Sequence, residues 1–330
     1  MKAAVLNKKN SNLEVKDVSE PKIEENDVLV KIKYAGVNPL DNMIIREEVK
    51  LIVPYKYPLV MGNEFSGVVE KVGSNVSGFS KGDRVYARMP LDKIGAFAEY
   101  VCIDKDALAL IPDYMDFKEA ACVPLTALTA MQAFELMNAK NGESIFISGG
   151  TGSLGVIAIP IAKSLGLKVM TSGSVRNKDK VIELGVDEFF DYKTQDYSEL
   201  LSDVDYVLDT IGEKELEKEF KILKSGGILV SLKALPNKEF AERMGLSFVK
   251  KLLFNFAGSK FDKMASKNNQ KYYFLFVESN GHQLSEISRI FSENNIKSSI
   301  DEIYPLNDVN KALAKVDKGG SKGKTLIKIE

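Results

Sequence analysis

A chain of 330 residues with 45 Lys and Arg against 46 Asp and Glu carries a formal charge of −1. That balance excludes the basic footprint of a nucleic-acid binder, and the length suits two domains better than one core. Two cysteines and one histidine, at no metal-like spacing, point to a reduced compartment. The N-terminus has no apolar leader core and no apolar run reaches membrane length, so the expectation is a soluble, cytoplasmic protein with no membrane partner.

The first hundred or so residues read as β-rich. Candidate strands are Ala3–Leu6, Leu13–Val18, Val28–Tyr34, Phe65–Val72, Arg84–Ala87, Ala96–Ile103 and Leu108–Ile111. Turn formers such as Gly73-Ser74-Asn75 and Lys81-Gly82-Asp83 separate them, which suggests a small barrel or sandwich. Asp116 and Glu119 have capping-box spacing at a helix start, and two helical segments follow, around Ala120 and over Thr126–Met137.

Ser144-Ile145-Phe146-Ile147 then reads as a buried strand that runs into Ser148-Gly149-Gly150-Thr151-Gly152-Ser153-Leu154-Gly155. Gly150, Gly152 and Gly155 stand at G-x-G-x-x-G spacing. Val156–Leu165 follows as an apolar helix closed by Gly166, and Leu167–Thr171 as a second strand. Strand, glycine turn, helix and strand in about thirty residues form the context of a dinucleotide fingerprint. In it Gly150 permits the tight turn, Gly152 lets the backbone approach a pyrophosphate, and Gly155 lets the helix lie on the strand. The first-turn amides from Thr151 to Gly155 then face the anion. A glycine turn in a βαβ unit that binds nothing is the alternative. Pro160 falls inside the helix, where a kink is expected.

The end of the second strand bears on the cofactor. An NAD site places an acid about twenty residues past the first glycine, for the ribose 2′-hydroxyl. Here the chain reads Thr171-Ser172-Gly173-Ser174-Val175-Arg176-Asn177-Lys178, with no acid before Asp179. Hydroxyls beside Arg176 and Lys178 suit a 2′-phosphate, and Tyr192, after the next strand, adds a phenol. The rim favours NADPH over NADH; a solvated helix start is the alternative.

Beyond this, Asp205–Asp209, Ile228–Leu232, Tyr272–Val277 and Thr325–Ile329 read as strands, and Leu216–Leu223, Leu284–Glu293 and Val309–Val316 as helices. Their alternation predicts a doubly wound parallel sheet. The stretch 237–271 has no readable period, and its lysines read as a solvated face.

Gly36-Val37-Asn38-Pro39-Leu40-Asp41, Pro58-Leu59-Val60-Met61-Gly62-Asn63-Glu64-Phe65-Ser66-Gly67-Val68-Val69, Val72-Gly73 and Gly82-Asp83-Arg84-Val85 resemble the medium-chain dehydrogenase/reductase superfamily. The likeness runs in register over nearly the whole chain and is nearest to the zinc-free quinone oxidoreductases related to zeta-crystallin. Phe274-Leu275-Phe276-Val277, Gly281-His282-Gln283-Leu284 and Gly323-Lys324 are similar to the enone and alkenal reductase branch. The resemblance implies an α/β protein with a GroES-like partial β-barrel domain, residues 1–122 and 266–330, and a Rossmann domain, residues 123–265. It further implies an active site in the cleft between them and a homodimer.

Zinc members of the superfamily carry Cys at the position of Asn38 and His at that of Asn63, and a four-Cys lobe that this chain lacks. Asn is a poor zinc ligand, so no metal is expected, and without a Lewis acid an activated acceptor suits the chain better than an alcohol. The implied reaction is NADPH-dependent hydride transfer to a quinone or an α,β-unsaturated carbonyl. An NADPH-binding redox sensor or structural protein of low turnover is the alternative.

The residue roles follow from the resemblance. Asn38 is expected to donate to the acceptor carbonyl, with Asp41 supporting its loop, as an N-cap or otherwise, and Tyr55 and Tyr57 lining the pocket. Met43 stands where some enone reductases carry lysine. Thr129 is expected at the nicotinamide carboxamide. Ile211, Gly212, Leu232 and Lys233 are expected along the adenosine and nicotinamide, with Phe274 and Phe276 closing on the cofactor from the other domain and Lys324 reaching a phosphate. His282 reads as a solvent-facing turn residue.

Overall fold

The computed structural model describes residues 1–320 and 322–330. The chain folds into two compact units: Met1–Leu128 with Glu278–Glu330, and Thr129–Val277.

The first unit begins with β1 (Lys2–Leu6) and β2 (Glu14–Asp17), continues through β3 (Asp27–Val37), α1 (Pro39–Ile45), β4 (Leu59–Val60) and β5 (Glu64–Val72), and then β6 (Arg84–Arg88), β7 (Tyr100–Asp104) and β8 (Leu108–Leu110). A capping box at Asp116 and Glu119 opens α2 (Phe117–Ala120), and α3 (Pro124–Met137) carries the chain into the second unit. The expected strand from Ala96 begins only at Tyr100; before it lies a lone bridge from Ala98 to Ala3. Asn38, not Asp41, is the N-cap of α1. Asp41 sits at the third position and completes a capping box, with Pro39 in the first turn, where its missing N–H removes no helical bond.

The second unit alternates strand and helix: β9 (Ser144–Ile147), α4 (Ser153–Ser164), β10 (Lys168–Gly173), α5 (Lys178–Glu183), β11 (Glu188–Asp191), β12 (Val204–Asp209), α6 (Leu216–Ile222), β13 (Leu223–Ser231), α7 (Lys238–Arg243), α8 (Phe248–Ser266) and β14 (Lys271–Phe274). The strands pair in the order β11-β10-β9-β12-β13-β14, every pair parallel. This is the doubly wound dinucleotide-binding order, and the strand sequence reverses between β9 and β12. Apolar side chains on both faces of β9 and β12 are what a covered parallel sheet requires. Pro160 lies buried within α4, which continues past it to Ser164.

The tail returns to the first unit as α9 (Gly281–Asn294), β15 (Ile300–Pro305), α10 (Val309–Lys318) and β16 (Lys324–Lys328). Here β16 pairs antiparallel with β3, setting Thr325 opposite Val37 and Leu326 opposite Gly36. The return falls at Glu278, beyond the expected 266, because β14 is the sixth strand of the parallel sheet. Phe274 therefore belongs to the nucleotide-fold unit itself, packed edge-on to Phe240 at 5.1 Å between ring centres, and does not come from the other domain.

Candidate active site

In the second unit the site is built at the carboxyl ends of β9, β10, β12 and β13. Gly149 carries the left-handed φ of 66°, so the tight turn is its work; the sequence had suggested Gly150. Gly150 is a matter of space: a Cβ there would sit 2.0 Å from Thr171 Oγ1, and the Gly150 amide donates to that same oxygen at 3.0 Å. A Cβ on Gly155 would meet the Gly150 backbone at 2.3 Å, so α4 is pressed directly on the turn. Gly152 caps α4, and Val156 makes the first bond back to it at 3.1 Å. The amides of Ser153, Leu154 and Gly155 thus have no partner within the helix and form an anion-ready N-terminus.

Cross-strand hydroxyls hold this turn. Thr210 Oγ1 donates to the Ser148 carbonyl at 2.6 Å, and the Thr210 amide donates to Ser148 Oγ at 3.0 Å. Asp209, fully buried at the end of β12, accepts from the amides of Ile211 (2.8 Å) and Gly212 (2.7 Å) and from Ser231 Oγ (2.5 Å). Gly212 has φ 100° and faces Lys233. Leu232 follows β13 and donates its amide to the Asp209 carbonyl at 3.1 Å, so Ile211, Gly212, Leu232 and Lys233 share one rim. Thr129 is buried near the middle of α3, and Phe276 is half-buried past the end of β14.

The segment after β10 lies against the glycine turn. The Ser172 hydroxyl accepts from the Gly149 amide at 3.3 Å, and a Cβ on Gly173 would meet Thr151 at 2.3 Å, so glycine turn and rim touch. Ser174 caps a short 3-10 turn containing Arg176; Arg176 and Lys178 are exposed. Tyr192, also exposed, donates its amide to the Gly173 carbonyl at 3.3 Å. Asp191 is the acid that the sheet brings opposite Gly173, a neighbour the linear reading missed. Its carboxylate turns into its own loop and accepts from the Lys193 amide at 3.2 Å and the Thr194 hydroxyl at 3.4 Å.

The first unit holds a buried polar cluster. Glu64, 0% exposed, accepts from Lys324 Nζ (2.5 Å) and Asn38 Nδ2 (2.8 Å) on Oε1 and from the Leu125 amide (2.8 Å) on Oε2. Gly36 leaves room for it: a Cβ there would sit 2.3 Å from Glu64 Oε1. Lys324 also donates to Asn38 Oδ1 at 2.6 Å. Pairing of β16 with β3 turns this lysine inward, and its ammonium is held by Glu64 and Asn38 instead of a phosphate. Asn38 is likewise bonded at both ends of its amide: Nδ2 donates to Glu64 and, at 3.4 Å, to the Gly36 carbonyl, and Oδ1 accepts from Lys324.

Asp41 accepts from the Asn38 amide and from Asn63 Nδ2, each at 2.8 Å. Burial, with the Glu64 charge beside it, pushes its carboxyl up to about 7 against the pull of those hydrogen bonds. Arg88 is fully buried; Nη1 donates to the Met89 carbonyl, while Nε and Nη2 have no partner. Burial lowers its guanidinium to about 10. No motif flagged Arg88; its inward position on β6 was the available signal. Tyr55 bonds the Leu91 carbonyl at 2.6 Å and Tyr57 bonds Glu47 at 3.1 Å, so both phenols are engaged within this unit.

These residues do not suit zinc. Asn38 and Asn63 are amides tied into the Glu64 and Asp41 network, and a lysine ammonium shares the cluster. Among the described residues no three His, Cys, Asp or Glu side chains gather as a metal group. Cys102 and Cys122 are buried, and burial pushes their thiols up to about 11 and about 12.

A doubly wound sheet with this glycine turn, joined to an antiparallel β unit that receives the tail, is a dinucleotide-binding architecture. Residues 24–113 match the alcohol dehydrogenase GroES-like domain family, and residues 184–327 match the zinc-binding dehydrogenase family. The chain is 30% identical to the 2-methylene-furan-3-one reductase of Solanum lycopersicum, over 94% of this chain and 74% of the relative. It is 30% identical to the NAD(P)H oxidoreductase RTN4IP1, mitochondrial, of Homo sapiens, over 92% of this chain and 82% of the relative. It superposes on the quinone oxidoreductase from Coxiella burnetii with a TM-score of 0.84 and 26% identity, over 100% of this chain and 99% of the other. The chain belongs to the medium-chain dehydrogenase/reductase superfamily, in the branch that holds quinone oxidoreductases and enone reductases.

Proposed function

We propose that the protein uses NADPH to reduce a quinone or an α,β-unsaturated carbonyl without a metal. The observation that carries this reading is the rim at the end of β10: hydroxyls and cations beside the glycine turn, with the neighbouring Asp191 turned away into its own loop. The names of the relatives, an enone reductase and a quinone oxidoreductase, support the acceptor class.

When bound, NADPH supplies the hydride. The chain's own residues do the rest. The amides of Ser153, Leu154 and Gly155 take the pyrophosphate, Ser172, Ser174, Arg176, Lys178 and Tyr192 take the 2′-phosphate, and Ile211, Gly212, Leu232 and Lys233 border the remainder of the nucleotide. Asn38 and Asp41 act as positioning residues, since both are bonded within the Glu64 and Asn63 network. Orientation of two reactants accounts for much of such a rate, and the proton for the product is drawn from water.

The test is NADPH oxidation against a panel of quinones, enones and alcohols (the last with NADP⁺), with product identification and metal analysis of the protein. Turnover of a quinone or enone by metal-free protein is the expected result. Turnover confined to alcohols, or activity proportional to bound zinc, would overturn the reading. Tight NADPH binding without any turnover would favour a sensor or structural role.

A further inference from the structure

The stretch without a readable period contains α8, a helix of 19 residues, about 28 Å long. Its inner stripe is Phe254, Gly258, Phe261 and Ala265, all buried. Phe254 packs edge-on to Phe240 at 5.9 Å and Phe261 lies 5.2 Å from Tyr272, between ring centres. A Cβ on Gly258 would meet Asn237 at 2.4 Å, so the helix is seated closely. That stripe satisfies the packing needs of the helix, and the opposite face is not used by the fold.

The opposite face reads Phe248, Leu252, Phe256, Lys260, Lys263, Lys267, one track at helical i+4 and i+3 spacing. Its first half is apolar and open: Phe248 is 74% exposed, Leu252 54% and Phe256 86%, with Val249 at 65% and Leu253 at 51% beside them. Its second half is cationic, and none of Lys260, Lys263 or Lys267 has a carboxylate partner among the described residues. The acid in this helix, Asp262, is drawn inward, accepting from Asn237 Nδ2 at 2.7 Å. Exposed apolar side chains clustered in this way mark an interaction surface.

We propose that this face of α8 docks on an anionic lipid bilayer surface, with Phe248, Leu252 and Phe256 entering the headgroup and acyl boundary and Lys260, Lys263 and Lys267 meeting lipid phosphates and carboxylates. Charge complementarity decides the occupant. The apolar and basic halves follow one another along a single face, so one suits the headgroup and acyl boundary while the other meets anionic headgroups. A second copy fits less well. A two-fold axis perpendicular to the helix and centred on it sets the apolar half of one copy against the lysines of the other, and one parallel to the helix sets lysines against lysines. A contact confined to the apolar halves falls short of the roughly 20–30 residues a side of a stable interface. No helix among the described residues is long and apolar enough to cross a membrane, so the contact is peripheral.

The test floats the full chain with vesicles of phosphatidylcholine and, separately, of an equal mixture of phosphatidylcholine and phosphatidylserine. The protein is expected to float with the mixed vesicles only, and less as salt is raised. Phe256→Glu is expected to lower the bound fraction about tenfold or more, and Lys263→Glu about fivefold or more. Both side chains point away from the core, so circular dichroism and the melting temperature are expected to stay at the wild-type values. No flotation with mixed vesicles, equal flotation with both kinds, or full binding by both variants would overturn the proposal. So would a dimer, seen by sedimentation, that Phe256→Glu dissolves while vesicles bind nothing.

Discussion

Glu64 and Glu219 are both 0% exposed, one in each unit, and their surroundings are opposite. Glu64 has a lysine, an amide side chain and a backbone N–H on its two oxygens. Glu219, on α6, has neither oxygen in a hydrogen bond of normal geometry. Burial, with the Asp209 charge adding to it, raises its carboxyl well above the usual range, and the nearby Ser148 hydroxyl opposes that shift without removing it. The same side chain is therefore held by three donors in one unit and left without a normal hydrogen bond, its carboxyl raised by burial, in the other. The first unit pairs its buried Glu64 and Lys324 charges with each other. The second ties hydroxyls and Asp209 across the strand ends and leaves the helix N-terminus open for a ligand.

The sharpest way to break this contrast is Lys324→Met, which strands the Glu64 charge. It is expected to destabilise the chain by about 3–5 kcal/mol in urea unfolding, and Glu64→Gln in the same background should recover part of the loss. Stability unchanged by Lys324→Met would mean the pair contributes nothing.

In the other unit the corresponding break is steric. Gly155→Ala drives a methyl into the Gly150 backbone and is expected to cost about 1–3 kcal/mol and to weaken nucleotide binding. Gly150→Ala meets a side chain instead, so Thr171→Ala should relieve part of its cost, measured by thermal unfolding. Equal rescue of both glycine variants by Thr171→Ala would contradict the geometry.

The rim supplies a test with no stability component. Arg176→Ala with Lys178→Ala is expected to weaken NADPH about tenfold or more while leaving NADH nearly unchanged, read by calorimetric titration. Equal loss for both cofactors would remove the 2′-phosphate assignment.

The smallest expected effect is that of Glu219→Gln at acid pH, about 1 kcal/mol or less where both side chains are neutral. Its value lies in the pH dependence. A carboxyl whose folded pKa is raised stabilises the native state most below its unfolded pKa, about 4.3. That stability is lost as pH rises through the folded value. Wild type should therefore lose stability relative to Glu219→Gln as pH rises, and a flat difference between the two would show that Glu219 is not held neutral.

The two units were unequally legible in the sequence. The glycine turn and β10 could be read because local spacing carries them. What lay beyond local spacing did not show. Lys324, beside Gly323, reads as reaching a phosphate, and only the pairing of β16 with β3 turns it onto Glu64. Asp191 comes to the rim through strand pairing, not sequence distance. The helix α8 hid its period because apolar residues stand on both faces, one buried and one exposed. Glu278 replaced 266 as the return point because β14 completes a sheet whose edge no local signal defines.

The most direct measurement of the central claim is titration of the wild-type chain with NADPH and with NADH under one set of conditions. NADPH is expected to bind tighter by about tenfold or more, the difference shrinking as salt rises. Equal affinity, or tighter NADH, would contradict it.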